Sequence, residues 1–453
     1  MQLKQIGVTA VVTLLAGVSN PASALTTQWK IPGLSPTNPH TRQISSNQIG
    51  QNKSNDFETL LKRAHDLLDQ GNYAEAVKAY DKAIRINPNI APAWMGRGFA
   101  LYGLKQYKEA IASHNKAIKL NPNLVGAWIG LGIALDDSDK PKEALNVYKE
   151  ALKINPNSSS AWFHQGITLA RLESYQESLK SYDRAVAIKP QYERAWFNRG
   201  YILYQLKQYQ ESVASYDRAI SINPNRERAW FNRGLALWML KDYQEFLASY
   251  DKVIAINPEN EIAWYNRGLA LEKLGRYQEA VTSYDRALRI NAKYEQAWFG
   301  RGIALWKLQK HEESLASLDR VIAINPNNKS AWFNRGIALE KLERYQEAFT
   351  AFDKVVKLNP KDIDGWFKHG NSLLRLKRYK EAVTSYDRII SLERNHQNAW
   401  YNRGISLTML KKYEQAIASF EQTLRINPNH TQARENRDSL LKLVRRSSRN
   451  MVM

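Results

Sequence analysis

Ten tryptophans stand 34 residues apart in this chain, without an insertion or deletion between the first and the last. They are Trp94, Trp128, Trp162, Trp196, Trp230, Trp264, Trp298, Trp332, Trp366 and Trp400. A strict period of this length is typical of a stack of similar small units, each of which buries its apolar face against its neighbours. A stack has a long surface and no pocket closed around a single core. The period therefore favours binding over catalysis.

The charge balance is strongly basic, with 65 Lys and Arg against 44 Asp and Glu and a formal net charge of +21. This excess favours acidic partners such as nucleic acid, anionic glycan, anionic lipid or an acidic peptide. The cations are spread along the whole repeat array, which is equally typical of a solvated surface that keeps a protein soluble. The sequence leaves both interpretations open.

Cysteine is absent, and the eight histidines are scattered without an HxxxH pair. Disulfides, cysteine-ligated zinc and a thiol nucleophile are therefore excluded. We expect no metal site, no cofactor and no small-molecule substrate.

The N-terminal residues 1–24 have the features of a signal peptide. Lys4 is followed by a 13-residue apolar stretch at 6–18, and Ala22-Ser23-Ala24 matches the small-x-small cleavage pattern. As a helix this stretch would rise only about 20 Å, less than the roughly 30 Å of a bilayer core. We expect cleavage near Ala24, export to the periplasm or outside the cell, and no membrane span afterwards. Residues 25–56 are polar and aperiodic, which predicts a flexible linker.

Each 34-residue unit carries two amphipathic apolar patterns at helical spacing. In residues 193–226 these patterns predict a first helix from about Arg194 to Leu206 and a second from about Gln210 to Ile222. Asn223-Pro224 ends the second helix, because proline lacks an N–H and disfavours helix in the residue before it.

Glycine stands four residues after every repeat tryptophan, as at Gly200. A glycine inside a helix costs about 1 kcal/mol relative to alanine. Ten such glycines in register predict that another helix approaches closely at this position.

The pattern Trp-x3-Gly, small, Tyr, Ala, Pro, carried here by Trp196, Gly200, Tyr216, Ala219 and Pro224, resembles the tetratricopeptide repeat. The resemblance covers eleven units over residues 57–430, followed by a capping helix at 431–446 and a basic tail at 447–453. It implies an all-α fold, a right-handed superhelical solenoid of antiparallel helix pairs.

Covariation within the chain predicts ion pairs between successive units. Arginine usually stands three residues after the tryptophan and aspartate thirteen before it, and where the aspartate is lost, as at Asn115, the arginine is lost too, as at Leu131. We expect the aspartate on the second helix of one unit to hold the first helix of the next, as a bidentate pair where geometry allows. The predicted pairs include Asp183–Arg199, Asp217–Arg233 and Asp251–Arg267.

The resemblance also implies a peptide-binding groove on the concave face, which the first helices line. The first, second and fifth residues after each tryptophan project there in the family. The second residue is asparagine in five units, and an amide offers a donor and an acceptor to any extended backbone. Candidate groove residues are Asn198, Asn232, Asn266, Asn334, Asn402, Phe197, Phe231, Tyr265 and Tyr201, together with Trp238 and Trp306, which lie outside the repeat register.

The favoured function is a non-enzymatic scaffold that binds proteins or peptides on this face. The alternative is an exported binder of an anionic polymer, glycan or nucleic acid, through the positive charge. An enzyme is not expected, because the repeats offer no Ser/His/Asp set and no phosphate-binding loop.

Overall fold

A computed structural model describes the backbone of residues 48–450 and the side chains of residues 56–445. The predicted signal peptide and residues 25–47 of the predicted linker lie outside the described residues. Every regular element between residues 48 and 450 is an α-helix, which confirms the all-α prediction. The described residues divide at the Asp242–Tyr243 peptide into two compact units, here called the N-terminal and the C-terminal unit.

The N-terminal unit contains eleven helices joined alternately by three-residue and four-residue connections. They are α1 (Gln48–Asp69), α2 (Tyr73–Ile86), α3 (Ala91–Gly103), α4 (Tyr107–Leu120), α5 (Val125–Asp137), α6 (Pro141–Ile154), α7 (Ser159–Arg171), α8 (Tyr175–Ile188), α9 (Glu193–Gln205), α10 (Tyr209–Ile222) and α11 (Glu227–Met239). Connections this short place successive helices side by side and antiparallel. The bounds of α9 and α10 lie within one residue of those expected from the apolar pattern.

The C-terminal unit contains twelve helices with the same alternation of connections. They are α12 (Tyr243–Ile256), α13 (Glu261–Lys273), α14 (Tyr277–Ile290), α15 (Glu295–Lys307), α16 (His311–Ile324), α17 (Lys329–Lys341), α18 (Tyr345–Leu358), α19 (Ile363–Arg375), α20 (Tyr379–Leu392), α21 (Gln397–Met409), α22 (Tyr413–Ile426) and α23 (Thr431–Asn450). Within each unit first and second helices alternate, the N-terminal unit ending with the first helix α11 and the C-terminal unit beginning with the second helix α12. The odd-numbered helices from α1 to α21 are first helices, and the even-numbered helices from α2 to α22 are second helices.

Two helix ends differ from the sequence-based boundaries. Helix α1 begins at Gln48, inside the stretch predicted as linker, and α23 continues to Asn450, past the predicted end of the capping helix at 446. Both extensions are polar segments without proline or a strong turn signal. Neither segment contains proline, which would interrupt a helix, whereas the apolar pattern used to place the boundaries extends into neither of them.

The repeated glycine lies against the second helix of its own pair. A Cβ added at Gly200 would come within 2.8 Å of Cε1 of Tyr216, a fully buried ring on α10. The residue twelve positions after the glycine also joins the two helices of the pair, since the Ser212 hydroxyl donates to the Gly200 carbonyl at 2.7 Å. The predicted close approach is therefore made within the pair, by a large side chain of the second helix, most often tyrosine, packed over a bare helix backbone.

The turn inside each pair contains one residue in the left-handed conformation, two positions after the first helix ends. Lys207 has φ 61° there, and its neighbour Gln208 donates its backbone N–H to the Leu203 carbonyl at 2.9 Å, which satisfies the end of α9. Only Gly71 and Gly275 supply glycine at this position within the described residues. The other nine positions are Lys105, Asp139, Glu173, Lys207, Lys241, Gln309, Glu343, Lys377 and Lys411.

Substitutions at two of these turns are expected to act in opposite directions. Gly275→Ala should lower the free energy of unfolding by about 1 kcal/mol, because φ is +75° and a Cβ there meets no atom within 4 Å, so the cost is purely conformational. Lys411→Gly, at φ 59°, should raise it by about 0.5 kcal/mol, since glycine adopts this conformation without a steric penalty. Urea denaturation of both variants measures the difference; a stabilising Gly275→Ala would contradict the strain argument.

Candidate binding surface on the first helices

Each repeat tryptophan is half-buried and holds the connection that precedes its own helix. The Trp196 Nε1–H donates to the Pro190 carbonyl at 2.8 Å, and the same bond to the carbonyl six residues back recurs at every repeat tryptophan, at 2.8–3.1 Å. It persists where proline is replaced, at Ala292 and Arg394. The tryptophans therefore fix the angle at which one pair follows another, and their polar edge is already used.

The arginine three residues after the tryptophan joins three helices. Nε of Arg199 on α9 donates to Oδ1 of Asp183 on α8 at 2.6 Å, and Nη1 donates to the Ser215 hydroxyl on α10 at 2.6 Å. The guanidinium carbon lies 5.6 Å from the centre of the Trp196 ring, within range of a cation–π contact.

The same Nε–Oδ1 contact occurs in the other pairs with a described arginine and aspartate at these positions, at 2.6–2.7 Å. They are Arg97–Asp81, Arg233–Asp217, Arg267–Asp251, Arg301–Asp285, Arg335–Asp319 and Arg403–Asp387. The bidentate geometry suggested for these pairs is not what the structure has, because in most of them Nη1 turns to a serine of the arginine's own pair. That serine, sixteen residues after the arginine, was a signal available in the sequence and missed.

A double-mutant cycle on Asp217 and Arg233 is expected to give a coupling energy of about 0.5–1 kcal/mol, the range of partly exposed ion pairs. The Asp217 side chain is 50% exposed, so solvent screens the pair despite the 2.6 Å contact. The chain supplies its own substitutions, since Asn115 and Leu131 occupy the corresponding positions of an earlier pair. Urea denaturation of Asp217→Asn, Arg233→Leu and the double variant tests this; coupling near zero would remove the proposed tie between pairs.

The asparagines predicted to form a ladder do not share one environment. Asn198, Asn232 and Asn402 are half-buried, whereas Asn266 and Asn334 are completely enclosed. Asn266 and Asn334 therefore have no surface to offer a ligand, and the predicted ladder is interrupted at both. The side chain at this position points toward the preceding pair, since Asn198 donates to the Tyr182 hydroxyl of that pair at 3.3 Å.

The aromatic candidates are mostly packed under the connections between pairs. Phe197 and Tyr265 are 8% and 5% exposed, so they belong to the core and not to an open groove. The Arg226 guanidinium covers Phe197 at 4.5 Å. Arg226, which follows the α9–α10 pair in the chain, thus closes over Phe197. A pattern confined to the first helices did not reveal this cover.

The remaining candidate groove residues also divide into accessible and buried side chains. Tyr201 and Phe231 are half-buried, and Trp238 is buried, 9% exposed. Trp306 packs against the core cluster around Phe333, and its Nε1 is enclosed without a hydrogen-bond partner. Of the predicted groove residues, Asn198, Asn232, Asn402, Tyr201, Phe231 and Trp306 keep solvent-accessible surface.

Two buried histidines stand at repeat positions usually filled by other residues. His114 takes a position that is tyrosine in most pairs, and His164 takes the position of Asn198. Burial lowers the pKa of each imidazole to about 3, and the neighbouring Arg194 lowers that of His164 further. Both rings are neutral at ordinary pH and serve packing.

Across the described residues no group of three or more acidic or histidine side chains is placed to hold a metal ion. In the same part of the chain, every helix is too short or too polar to cross a bilayer.

Family models of the tetratricopeptide repeat match most of the chain. One matches residues 61–124, 129–193 and 299–363, and others match 200–241, 240–275, 262–294, 363–396 and 398–430. The matches succeed one another along the helix pairs. A comparison with curated proteins gave no match.

Solved structures with the same kind of fold are distant in sequence. YrrB, described as a tetratricopeptide repeat protein with an unusual peptide-binding site, is 23% identical over 42% of this chain and 97% of its own, with a TM-score of 0.40. The Cut9–Hcn1 complex is 14% identical over 85% and 96%, with a TM-score of 0.36. Yeast Tom70 is 13% identical over 87% and 97%, with a TM-score of 0.34. These similarities concern the fold alone.

Proposed function

Because the chain belongs to the tetratricopeptide repeat family, we propose that it is a non-enzymatic scaffold that holds an extended peptide or protein segment on its first helices. The family and fold support protein–protein interaction in general terms. The finer proposal concerns the place of contact, which we assign to the accessible surface of α9 and α11.

One observation carries this assignment. Asn198 on α9 and Asn232 on α11 keep accessible surface at equivalent positions of two first helices that pack against each other, with the half-exposed ring of Tyr201 on the same helix as Asn198. Two amides one repeat apart can each donate to and accept from the backbone of an extended segment, and the ring adds apolar contact. Because Asn266 and Asn334 are enclosed, Asn198 and Asn232 are the accessible asparagines at this position that stand one repeat apart.

The test is a peptide selection followed by titration. Random twelve-residue peptides are selected on the full chain, and the enriched peptides are titrated calorimetrically on the wild type and on Asn198→Ala/Asn232→Ala. We expect the double variant to bind about tenfold more weakly, the loss of one to two hydrogen bonds at a desolvated contact. The matched control, Gln191→Ala/Gln210→Ala, removes two exposed amides nearby. Equal affinity of both variants, or no enrichment, would contradict the proposal.

The alternative of an anionic polymer rests on a different set of residues. A cation stands twelve residues before the tryptophan on most second helices and is exposed at Lys82, Lys116, Arg184, Arg218, Lys252, Arg286, Arg320 and Arg388. Contacts of this kind release counterions, so binding of a heparin or RNA probe should weaken steeply between about 50 and 200 mM salt. Affinity that is weak at both salt concentrations would exclude this alternative.

We further propose export after cleavage near Ala24. N-terminal sequencing of the protein purified from its native host tests this: a mature chain that begins at Leu25 is the expected result, and retention of residues 1–24 would contradict it.

A further inference from the structure

A small recess opens between the first helices of the N-terminal unit. It is lined by Leu68 at the end of α1, Tyr73 at the start of α2, Phe99 and Tyr102 on α3, and Gly130 and Ile133 on α5. We call it the α1–α5 recess. It lies in the first three pairs, distant in sequence from the asparagines of α9 and α11.

Glycine makes room for the rings that lie behind the recess. Gly96 and Gly130 occupy the position at which other pairs carry the asparagine that leans on the preceding pair. A Cβ at Gly130 would come within 2.3 Å of Cε1 and 2.6 Å of Nε2 of His114, so this ring lies directly behind the recess lining. His114 is completely enclosed, and neither ring nitrogen has a hydrogen-bond partner among the described residues. The site thus has an apolar wall with an unpaired polar group immediately beneath it.

The rim of the recess is acidic. The Tyr102 hydroxyl, part of the lining, donates to the exposed carboxylate of Asp137 at the end of α5. Asp69 ends α1 beside the lining residue Leu68. Neither carboxylate has an ion-pair partner within residues 56–445, and Arg171, which reaches α5 from α7, is taken by Asp136 and Asp139.

Cations are scarce on α3 and α5, and Arg63 of α1 and Lys78, Lys82 and Arg85 of α2 line a separate pocket. Helix α5 contains no lysine or arginine, and the one cation of α3, Arg97, is bound by Asp81 and Ser113. Exposed lysines occur in the adjoining turns, Lys105 and Lys140, the second of which pairs with Glu143 at 3.4 Å. In a chain of net charge +21 this face is a local exception. A ligand complementary to it carries a cationic group next to an apolar group.

We propose that the α1–α5 recess holds an apolar side chain of a partner protein segment in which the anchor is followed by lysine or arginine, and that Asp137 pairs with that cation. The inference rests on the proposed scaffold function but assigns a second site and a different ligand chemistry. Shape selects the anchor, because the recess is bounded by rings and aliphatic side chains, and charge selects the residue after the anchor.

The test uses two fluorescent peptides, Gly-Ser-Phe-Lys-Lys-Ser-Gly and its counterpart with glutamates in place of the lysines, titrated on the full chain by fluorescence anisotropy. We expect the lysine peptide to bind the wild type, and Asp137→Lys to weaken it about tenfold, because one attraction becomes a repulsion. The glutamate peptide should bind Asp137→Lys more tightly than the wild type.

The matched control is Glu173→Lys, which makes the same change of net charge at an exposed turn one pair further on. It should alter the affinity less than about twofold, because it lies outside the recess lining. Equal losses in Asp137→Lys and Glu173→Lys, or no binding of the lysine peptide, would overturn the proposal. Circular dichroism checks that both variants fold, which the exposure of both side chains favours.

Two further variants distinguish the recess from two competing places of contact. Asn198→Ala/Asn232→Ala should bind the lysine peptide as the wild type does; a loss there would assign the peptide to α9 and α11 and overturn the recess. The chain's own Trp29-Lys30 has the same chemistry. If Trp29→Ala/Lys30→Glu increased affinity for the peptide, the occupant would be this segment, and the assignment to a partner would be wrong.

Discussion

Trp298→Ala is expected to lower the free energy of unfolding of the C-terminal unit by about 3 kcal/mol, the lower end for a large aromatic because the ring is half-buried. Three contacts disappear together. The indole packs beside a core that includes Phe299, its Nε1–H donates to the Ala292 carbonyl at 2.9 Å, and the Arg301 guanidinium lies 5.8 Å from its centre. Urea denaturation followed by circular dichroism measures the loss.

The same helix supplies a matched control. Trp306, also on α15, has an enclosed Nε1 without a hydrogen-bond partner. Trp298→Phe should therefore cost about 1–2 kcal/mol, since a carbonyl loses its donor, while Trp306→Phe should cost little or be stabilising, because it removes an unpaired polar group. Equal costs for the two phenylalanine variants would show that the bond to the connection contributes nothing.

Acid is expected to destabilise the N-terminal unit through His114 and His164. The unfolded chain protonates these rings near pH 6.5, whereas burial lowers their pKa in the folded state to about 3. The unfolded state therefore binds more protons below pH 6.5, and stability falls progressively from there toward pH 3. At about pH 5 each ring accounts for about 2 kcal/mol, from roughly 1.36 kcal/mol per pH unit.

The control for this pH dependence uses residues that the repeat already accepts. His114→Tyr installs the residue of most other pairs, and Tyr284 shows that tyrosine fits between glycines at both neighbouring positions, Gly268 and Gly300. His164→Asn reproduces Asn198. The double variant should show a much flatter stability profile between about pH 7 and pH 5 in urea denaturation. A profile identical to that of the wild type would place the acid sensitivity elsewhere.

The asparagine position shows why a site is harder to predict than a fold. The pattern identified the position correctly as one on the first helices, yet Asn198 keeps accessible surface and Asn266 has none. The difference arises from side chains of adjacent helices, which a single-helix pattern does not contain. The second arm of Arg199, which reaches Ser215 on another helix, was missed for the same reason.

The sequence by itself determined the helix pairs, the bounds of the repeated helices and the ties between them, because a 34-residue period repeats every local signal: the apolar stripe, the Asn-Pro stop, the bare glycine and the Asp–Arg covariation. Tertiary structure alone decided which of these side chains remain accessible. Exposure depends on the groups that neighbouring helices and connections place over each position, as the Arg226 guanidinium does over Phe197.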